Sequence, residues 1–340
     1  MKKLLASFLM LAIISCFLMI AGCDEEKKCP VCPAAGSSVA TYPVTAIVLG
    51  PSGAPQGGAI ISLVNPPNQT GTFIDTTDNT GKGTIEAPAG PQQLNVTMGT
   101  VFQTTINITV IVNTTNIPQS AGTVTLQQNT SLGKTLVIFA DAENIENVLA
   151  DTSIAYTTYD HTTVDSMRIR VALDSVAVLN YLKQYAIVFS NCNGGDEYAY
   201  PLLARVYGQY VQQGGKIYGG HYNYYNLQNI VPPYYQTEVY GSVDTMKIIN
   251  TILSNALGYT VISWPGNLQY YDFFSDLPGS TTVYAVESGS PGSTSSPQGI
   301  PVIVENRVGT GKYLWTAYHN QDILADPQLV KIVRYFLYNM

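Results

Sequence analysis

Gly214-Gly215-Lys216-Ile217-Tyr218-Gly219-Gly220-His221-Tyr222-Asn223 is the stretch that decides the fold. Its first two residues stop a helix, because glycine takes the left-handed cap that other residues resist. Upstream, Tyr198–Gln213 carries Leu202, Leu203, Val206, Tyr210 and Val211 on one helical face. Lys216–Gly220 is a short run bounded by glycines and reads as a strand. Gly219-Gly220 then lets the chain bend sharply toward His221. A helix, a glycine stop, a strand and a bend make half of a parallel α/β unit.

The same alternation extends in both directions. Thr135–Ala140, Ile154–Tyr159 and Ala186–Ser190 read as strands, with a helix over Ser175–Leu182. Downstream, a helix is expected over Val243–Leu257, ending at Gly258. Strands follow near Val283–Val286, Pro301–Glu305 and Lys312–Thr316. Asp326-Pro327 caps a last helix to Tyr338, with proline at its first position. The expectation for residues 134–340 is a three-layer α/β domain with a mostly parallel sheet.

Residues 42–130 have a different period. Short β-branched runs recur at Val44–Leu49, Ala59–Val64, Thr72–Thr76, Gly83–Glu86, Gln93–Met98, Thr104–Val112 and Gly122–Gln127. Turn clusters such as Gly50-Pro51-Ser52-Gly53 and Asp78-Asn79-Thr80-Gly81 separate them. Seven short strands at this spacing predict an all-β sandwich. The order of Val44–Leu49, Ser52–Ala59, Thr77–Gly81 and Gly90 before Leu94–Met98 resembles the carboxypeptidase regulatory-like (transthyretin-like) domain. That resemblance implies a non-catalytic spacer or adhesion module.

The first 41 residues concern location. Lys2 and Lys3 precede an apolar run from Leu4 to Ile20, then Ala21-Gly22-Cys23 and the charged stretch Asp24–Lys28. This resembles a bacterial lipoprotein signal, with residues 1–22 removed and Cys23 lipidated. Two or three acyl chains on one cysteine anchor stably, since each buried methylene contributes about 0.8 kcal/mol. Residues 23–41 then form a flexible tether. The expected location is the cell membrane, facing the periplasm or the exterior.

Composition narrows the partners. Removing residues 1–22 leaves 14 basic against 23 acidic residues and no Lys/Arg cluster, which argues against a nucleic-acid partner. Charged residues are 11% of the chain, against about 25% in ordinary soluble proteins. Cys29 and Cys32 form a C-x-x-C pair without a strand–helix context, so a local disulfide or two free thiols is expected rather than a redox motif.

In parallel sheets, sites lie beyond the carboxyl ends of the strands. Three such ends carry chemistry: Ser190–Glu197 with Cys192, Gly219–Asn223 with His221, and Ala317–Asp322 with His319 and Asn320. Gly214–His221 and Val308–His319 resemble the class I glutamine amidotransferase-like superfamily, especially ThuA-like members. In catalytic members the bend reads G-x-C-x-G and holds a cysteine near a histidine and a carboxylate. Here His221 fills the nucleophile position, His319 matches the histidine, and Gln321 stands where a glutamate is expected. The resemblance therefore implies a degenerate site, a pseudoenzyme.

The candidate catalytic residues are His221, His319 and Cys192. The candidate binding residues are Tyr222, Asn223, Tyr225 and Asn320, where aromatic faces and amides suit a glycan, a peptide or an envelope protein. No cofactor and no metal is expected. The set a metal would use is His221, His319 and Asp322 or Asp141. Three readings compete. The first is a non-catalytic envelope binding or scaffold protein. The second is an envelope hydrolase using His319 with Cys192 or a bound metal. The third is a purely structural component. For Cys192, a buried inert thiol is expected unless its sulfur reaches an imidazole.

Overall fold

Strict alternation builds the first part of the chain. In β1 (Thr41–Leu49), Val44, Ala46 and Val48 are buried while Ile47 is exposed. β2 (Ile60–Leu63), β3 (Ile74–Thr76), β4 (Lys82–Pro88), β5 (Gly90–Met98), β6 (Phe102–Val110) and β7 (Gln119–Thr125) follow. They pair as two sheets, β4-β1-β7 and β3-β2-β5-β6. Within the first, β1 runs antiparallel to β4 and parallel to β7. The sheets meet face to face: a side chain on Gly83 of β4 would strike the Ile61 side chain of β2. Asp78 holds the turn before β4, where its carboxylate accepts the Thr80 and Lys82 N–H groups and the Thr80 hydroxyl.

The computed structural model describes residues 39–112, 115, 117–139, 143–159, 170, 172–192, 201–223, 230, 235–242, 245–263, 269–276, 281–287, 300–318 and 326–340. Residues 40–340 form one compact unit. Residues 1–22, expected to be a lipid signal, and Cys23, Cys29 and Cys32 lie outside the described residues.

The second part begins with β8 (Thr135–Ile138), α1 (Ile145–Asp151), the two-residue β9 (Thr157–Thr158), α2 (Ser175–Leu182) and β10 (Ile187–Ser190). Next come α3 (Pro201–Gln212), β11 (Lys216–Gly220), β12 (Tyr235–Ser242), β13 (Thr245–Ile248), α4 (Thr251–Leu257), β14 (Val261–Ser263) and β15 (Gln269–Asp276). β16 (Thr281–Glu287), β17 (Ile300–Val308), β18 (Gly311–Thr316) and α5 (Pro327–Asn339) complete it. Nine strands form one sheet in the order β14-β13-β16-β17-β18-β11-β10-β8-β9. Every residue of β8 and β10 is buried, as strands covered on both faces require.

Several expectations need correction. The sheet is parallel only from β18 to β9; the four pairings from β18 to β14 are antiparallel. Val243–Leu257 is not one helix. Met246 and Ile248 alternate inward as β13, and the helix starts only after Asn250, whose side chain accepts the Leu253 N–H. Ile154–Tyr159 narrows to β9 at the sheet edge. Leu202 faces outward, and Tyr207 joins the buried face of α3. Other ends fall where expected: Asp326 caps α5 through Gln328 and Leu329, and Gly258 takes φ 81° after α4.

The two-sheet part is fused to the starts of the parallel strands. The Thr100 N–H donates to the Met340 carbonyl (2.7 Å), and Lys216 Nζ donates to the Thr100 hydroxyl. Phe102 meets Tyr338 edge-to-face at 4.9 Å. Tyr338 also lies against Gly50, and its hydroxyl donates to the Thr152 carbonyl. Gly99, at φ 57°, sits so close to the carbonyls of Tyr338 and Met340 that a Cβ there would overlap them.

Candidate functional site

The opposite edge carries the candidate site. β10 and β11 are parallel neighbours, with Ser190 paired to Gly219. Their carboxyl ends therefore emerge side by side. Beyond β10 come Asn191 and Cys192. Beyond β11 comes a single 3-10 turn, His221–Asn223.

Asn223 ties the two ends together. Its Nδ2 donates to the carbonyls of Ser190 (2.8 Å), Asn191 (3.1 Å) and Gly220 (3.2 Å). Its Oδ1 accepts the Ser190 hydroxyl at 2.9 Å. The Tyr313 hydroxyl donates to the Asn223 carbonyl, and the Trp315 indole N–H donates to the His221 carbonyl at 2.7 Å. Each such bond contributes about 1 kcal/mol net, and more would be lost by leaving a buried partner unmatched. The turn is thus fixed on all sides.

This rigidity holds a strained residue. His221 adopts φ 35°, a region that non-glycine residues rarely occupy. Such strain costs about 1–3 kcal/mol and persists only where the surroundings enforce it. The sequence suggested that Gly219 and Gly220 would make the bend. Instead histidine takes the positive φ, and Asn223 acts as the staple.

The strained turn brings His221 to Cys192. The Cys192 Sγ lies 3.6 Å from His221 Nδ1, within hydrogen-bond reach for sulfur. Both are buried, Cys192 fully and His221 at 4% exposure. A carboxylate completes the cluster. Glu143 is 1% exposed, and its Oε2 accepts the Cys192 backbone N–H at 2.7 Å. The same carboxylate rests on Gly220, where any Cβ would overlap it. The second glycine before His221 is therefore the seat of an acidic group.

Asn191 sets the remaining contacts. Its Nδ2 donates to the Glu143 carbonyl (2.8 Å) and to Glu146 Oε2 (3.0 Å). Its Oδ1 has no hydrogen-bond partner among the described residues, although Asn191 is 1% exposed. One residue before Cys192, then, stands a buried acceptor that no described residue matches. Burial pushes the Tyr318 phenol well above its ordinary value, with the Tyr218 phenol and the Glu143 carboxylate adding to the rise. Tyr318 therefore stays neutral near this cluster.

The proposed residues divide into three groups. His221, Cys192 and Asn223 come together. Tyr222 lies in the 3-10 turn between His221 and Asn223. His319, Asn320, Tyr225, Asp322 and Asp141 lie outside the described residues. Among the described residues, no cluster of three or more His, Cys, Asp or Glu is placed to hold a metal ion. Of the aromatic stretches, Tyr271, Phe273 and Phe274 lie on β15, which pairs with β12 and runs beside the His221 turn.

Sequence reasoning missed Glu143 and Asn191. The signal for Glu143 was available: it follows β8, whose end had been read only for Asp141. For Asn191 there was none beyond adjacency to Cys192.

No family model matches the chain, and no curated protein matches it. Solved structures similar in part include the cytoplasmic protein STM1381 from Salmonella typhimurium LT2, at 14% identity and TM-score 0.39 over 60% of this chain and 96% of that one. A ThuA-like protein from Parabacteroides merdae ATCC 43184 matches at 14% identity and TM-score 0.36, over 60% of this chain and 88% of that one. A beta-galactosidase from Rahnella sp. R3 matches at 12% identity and TM-score 0.33; 60% of this chain covers 30% of that enzyme. At TM-scores below 0.5 these likenesses carry no weight for activity, and the fold rests on the strand pairings given above.

Proposed function

We propose that the chain is a lipid-anchored protein of the bacterial cell envelope whose α/β part carries a thiol–imidazole hydrolytic site. Cys23 bears the lipid. The two-sheet part is a carboxypeptidase regulatory-like support, and residues 134–340 are an amidotransferase-like, ThuA-like domain. Cys192 is the nucleophile and His221 its base. The observation that carries this reading is the 3.6 Å approach of Cys192 Sγ to His221 Nδ1. A thiol becomes a strong nucleophile when an adjacent base removes its proton.

The chemistry is acyl transfer. His221 Nδ1 takes the thiol proton as the sulfur attacks a carbonyl carbon. The leaving amine or alkoxide departs with that proton, and a thioester remains on Cys192. Water activated by the same imidazole then cleaves the thioester and restores the thiol. This assignment moves the base from His319 to His221. It also reverses the family arrangement, with the imidazole on the bend and the sulfur one strand away.

A second reading, a non-catalytic receptor for a glycan, peptide or envelope protein at the same edge, has its own support. The thiol is fully buried, and Glu143 already occupies the Cys192 N–H that would otherwise serve an oxyanion. Incubation of the purified full chain with p-nitrophenyl acetate separates the two. The hydrolytic site predicts an acetylated Cys192 by mass, no acetylation in Cys192→Ala, and a rate at least about 100-fold lower in His221→Ala. Equal rates for parent and Cys192→Ala would leave the receptor.

A further inference from the structure

The strand directions place two different ends on the two-sheet part. At one end, Gly50, Gly99, Thr100 and Phe102 pack on α5 and the strand starts. At the other, Thr41 opens β1 opposite Pro88, Gly90 opens β5 opposite Val110, and Gln119 opens β7 opposite Val44. β1 spans nine residues between these ends, about 30 Å at strand rise.

The free end has an unusual surface. Ile111, Val112 and Ile117 are 69%, 63% and 66% exposed. Large apolar side chains grouped and exposed at one tip mark an interaction surface. Charge is nearly absent there. Residues 40–46, 64–73, 86–93 and 107–122 include Glu86 as their sole charged residue, in a chain with 23 acidic residues. Tyr42 lies half-buried at the same end, a residue suited to a membrane–water interface.

The chain itself says what lies opposite. β1 begins at this end, and Cys23 precedes Thr41 by 18 residues. Fully extended, that length reaches at most about 60 Å. The tip is therefore the part of residues 40–340 closest along the chain to the lipid anchor. A protein with net negative charge is repelled by anionic headgroups, yet this end offers almost no acid to repel.

We infer that the tip carrying Ile111, Val112 and Ile117 is a foot that rests on the bilayer surface to which Cys23 is anchored. This rests on the lipid anchor proposed above. The occupant is the lipid surface itself, the apolar side chains entering the headgroup–acyl boundary. The two-sheet part then stands as a pillar, and the Cys192–His221 edge points away from the membrane.

Depth-dependent quenching tests the foot. Full-length Val112→Trp and Ile252→Trp chains, the latter altered at a 63% exposed position on α4, are placed on phosphatidylethanolamine/phosphatidylglycerol vesicles with brominated acyl chains. Quenching is read over that of the parent's own two tryptophans. The foot predicts at least twofold stronger quenching at position 112 than at 252. Equal quenching in vesicle-bound chains overturns it. The mass of the mature amino-terminal peptide reports lipidation separately. A chain without acyl groups stays on the vesicle through its apolar residues 4–20, so the 112-against-252 comparison still decides the foot while the lipid reading fails alone.

Discussion

The nine-stranded sheet is made differently at the starts and at the carboxyl ends of its parallel strands. At the strand starts, the joint to the two-sheet part consists of Tyr338, Phe102, Gly99, Thr100 and Met340. It brings together aromatic faces, backbone hydrogen bonds and one glycine at positive φ, a conformation that glycine adopts freely. At the strand ends, Cys192, His221 and Glu143 bury a thiol, an imidazole and a carboxylate around a histidine at φ 35°. Apart from the partly buried Lys216 amine, the first follows the rules that maximise stability. The second breaks two of them, by burying ionisable groups and by straining a residue other than glycine. A fold accepts such costs where a site is built, and that contrast separates joint from site here.

The comparison breaks first at the joint. Tyr338→Ala removes a fully buried ring that touches Gly50, Phe102 and the Thr152 carbonyl. The expected loss is about 3–5 kcal/mol, seen in denaturant melts as one cooperative transition moved to lower denaturant. If only part of the signal moves, the two parts melt separately and the joint is looser than drawn.

The next largest effect tests the site edge. Gly220→Ala drives a methyl into the Glu143 carboxylate, at a cost of about 1–3 kcal/mol. It should also abolish Cys192 acylation, because Glu143 can no longer keep its hold on the Cys192 N–H. Retained acylation would make Glu143 a bystander.

His221→Asn sharpens the contrast further. Asparagine tolerates positive φ better than histidine, so stability should change by less than about 1 kcal/mol. Acylation should disappear. A large loss of stability with retained acylation would show that His221 is a structural residue of the kind found at the joint.

The smallest effect is a pH slope at the joint. Burial, with the Lys312 and Arg307 charges adding and Glu305 opposing, pushes Lys216 down to about 8 from its ordinary 10.5. Between those values the unfolded chain holds a proton that the folded chain has released, so stability rises with pH from about 8. Buried phenols reverse the trend at higher pH. Tyr335, pushed up to about 12 by burial and the Glu305 charge, keeps its proton in the folded chain after the unfolded chain has lost it. Melts between pH 8 and 10 should show the rise, and Lys216→Met should flatten it.

Much of the fold was legible along the chain. Ser175–Leu182 and Lys216–Gly220 fall where the pattern put them, and all seven early strands exist within a few residues of their expected ends. The helix expected over Val243–Leu257 failed because the alternation of Met246 and Ile248, which is a strand period, is too short to stand out beside the helix that follows. The site was half legible. The Gly219-Gly220-His221 bend stands out as a sharp turn, but the reach from His221 to Cys192 spans 29 residues and the reach from Cys192 to Glu143 spans 49.

By itself the sequence determined local matters: where helices stop, which runs alternate, which residues carry sulfur, imidazole and charge. Those follow from side-chain size, backbone freedom and spacing within a few residues. Only the tertiary structure decided that β10 and β11 lie side by side, that Gly220 seats a carboxylate from beyond β8, and that the thiol meets the bend from the neighbouring strand. Strand order is set by which apolar faces bury one another over the whole chain, and no short stretch contains that information.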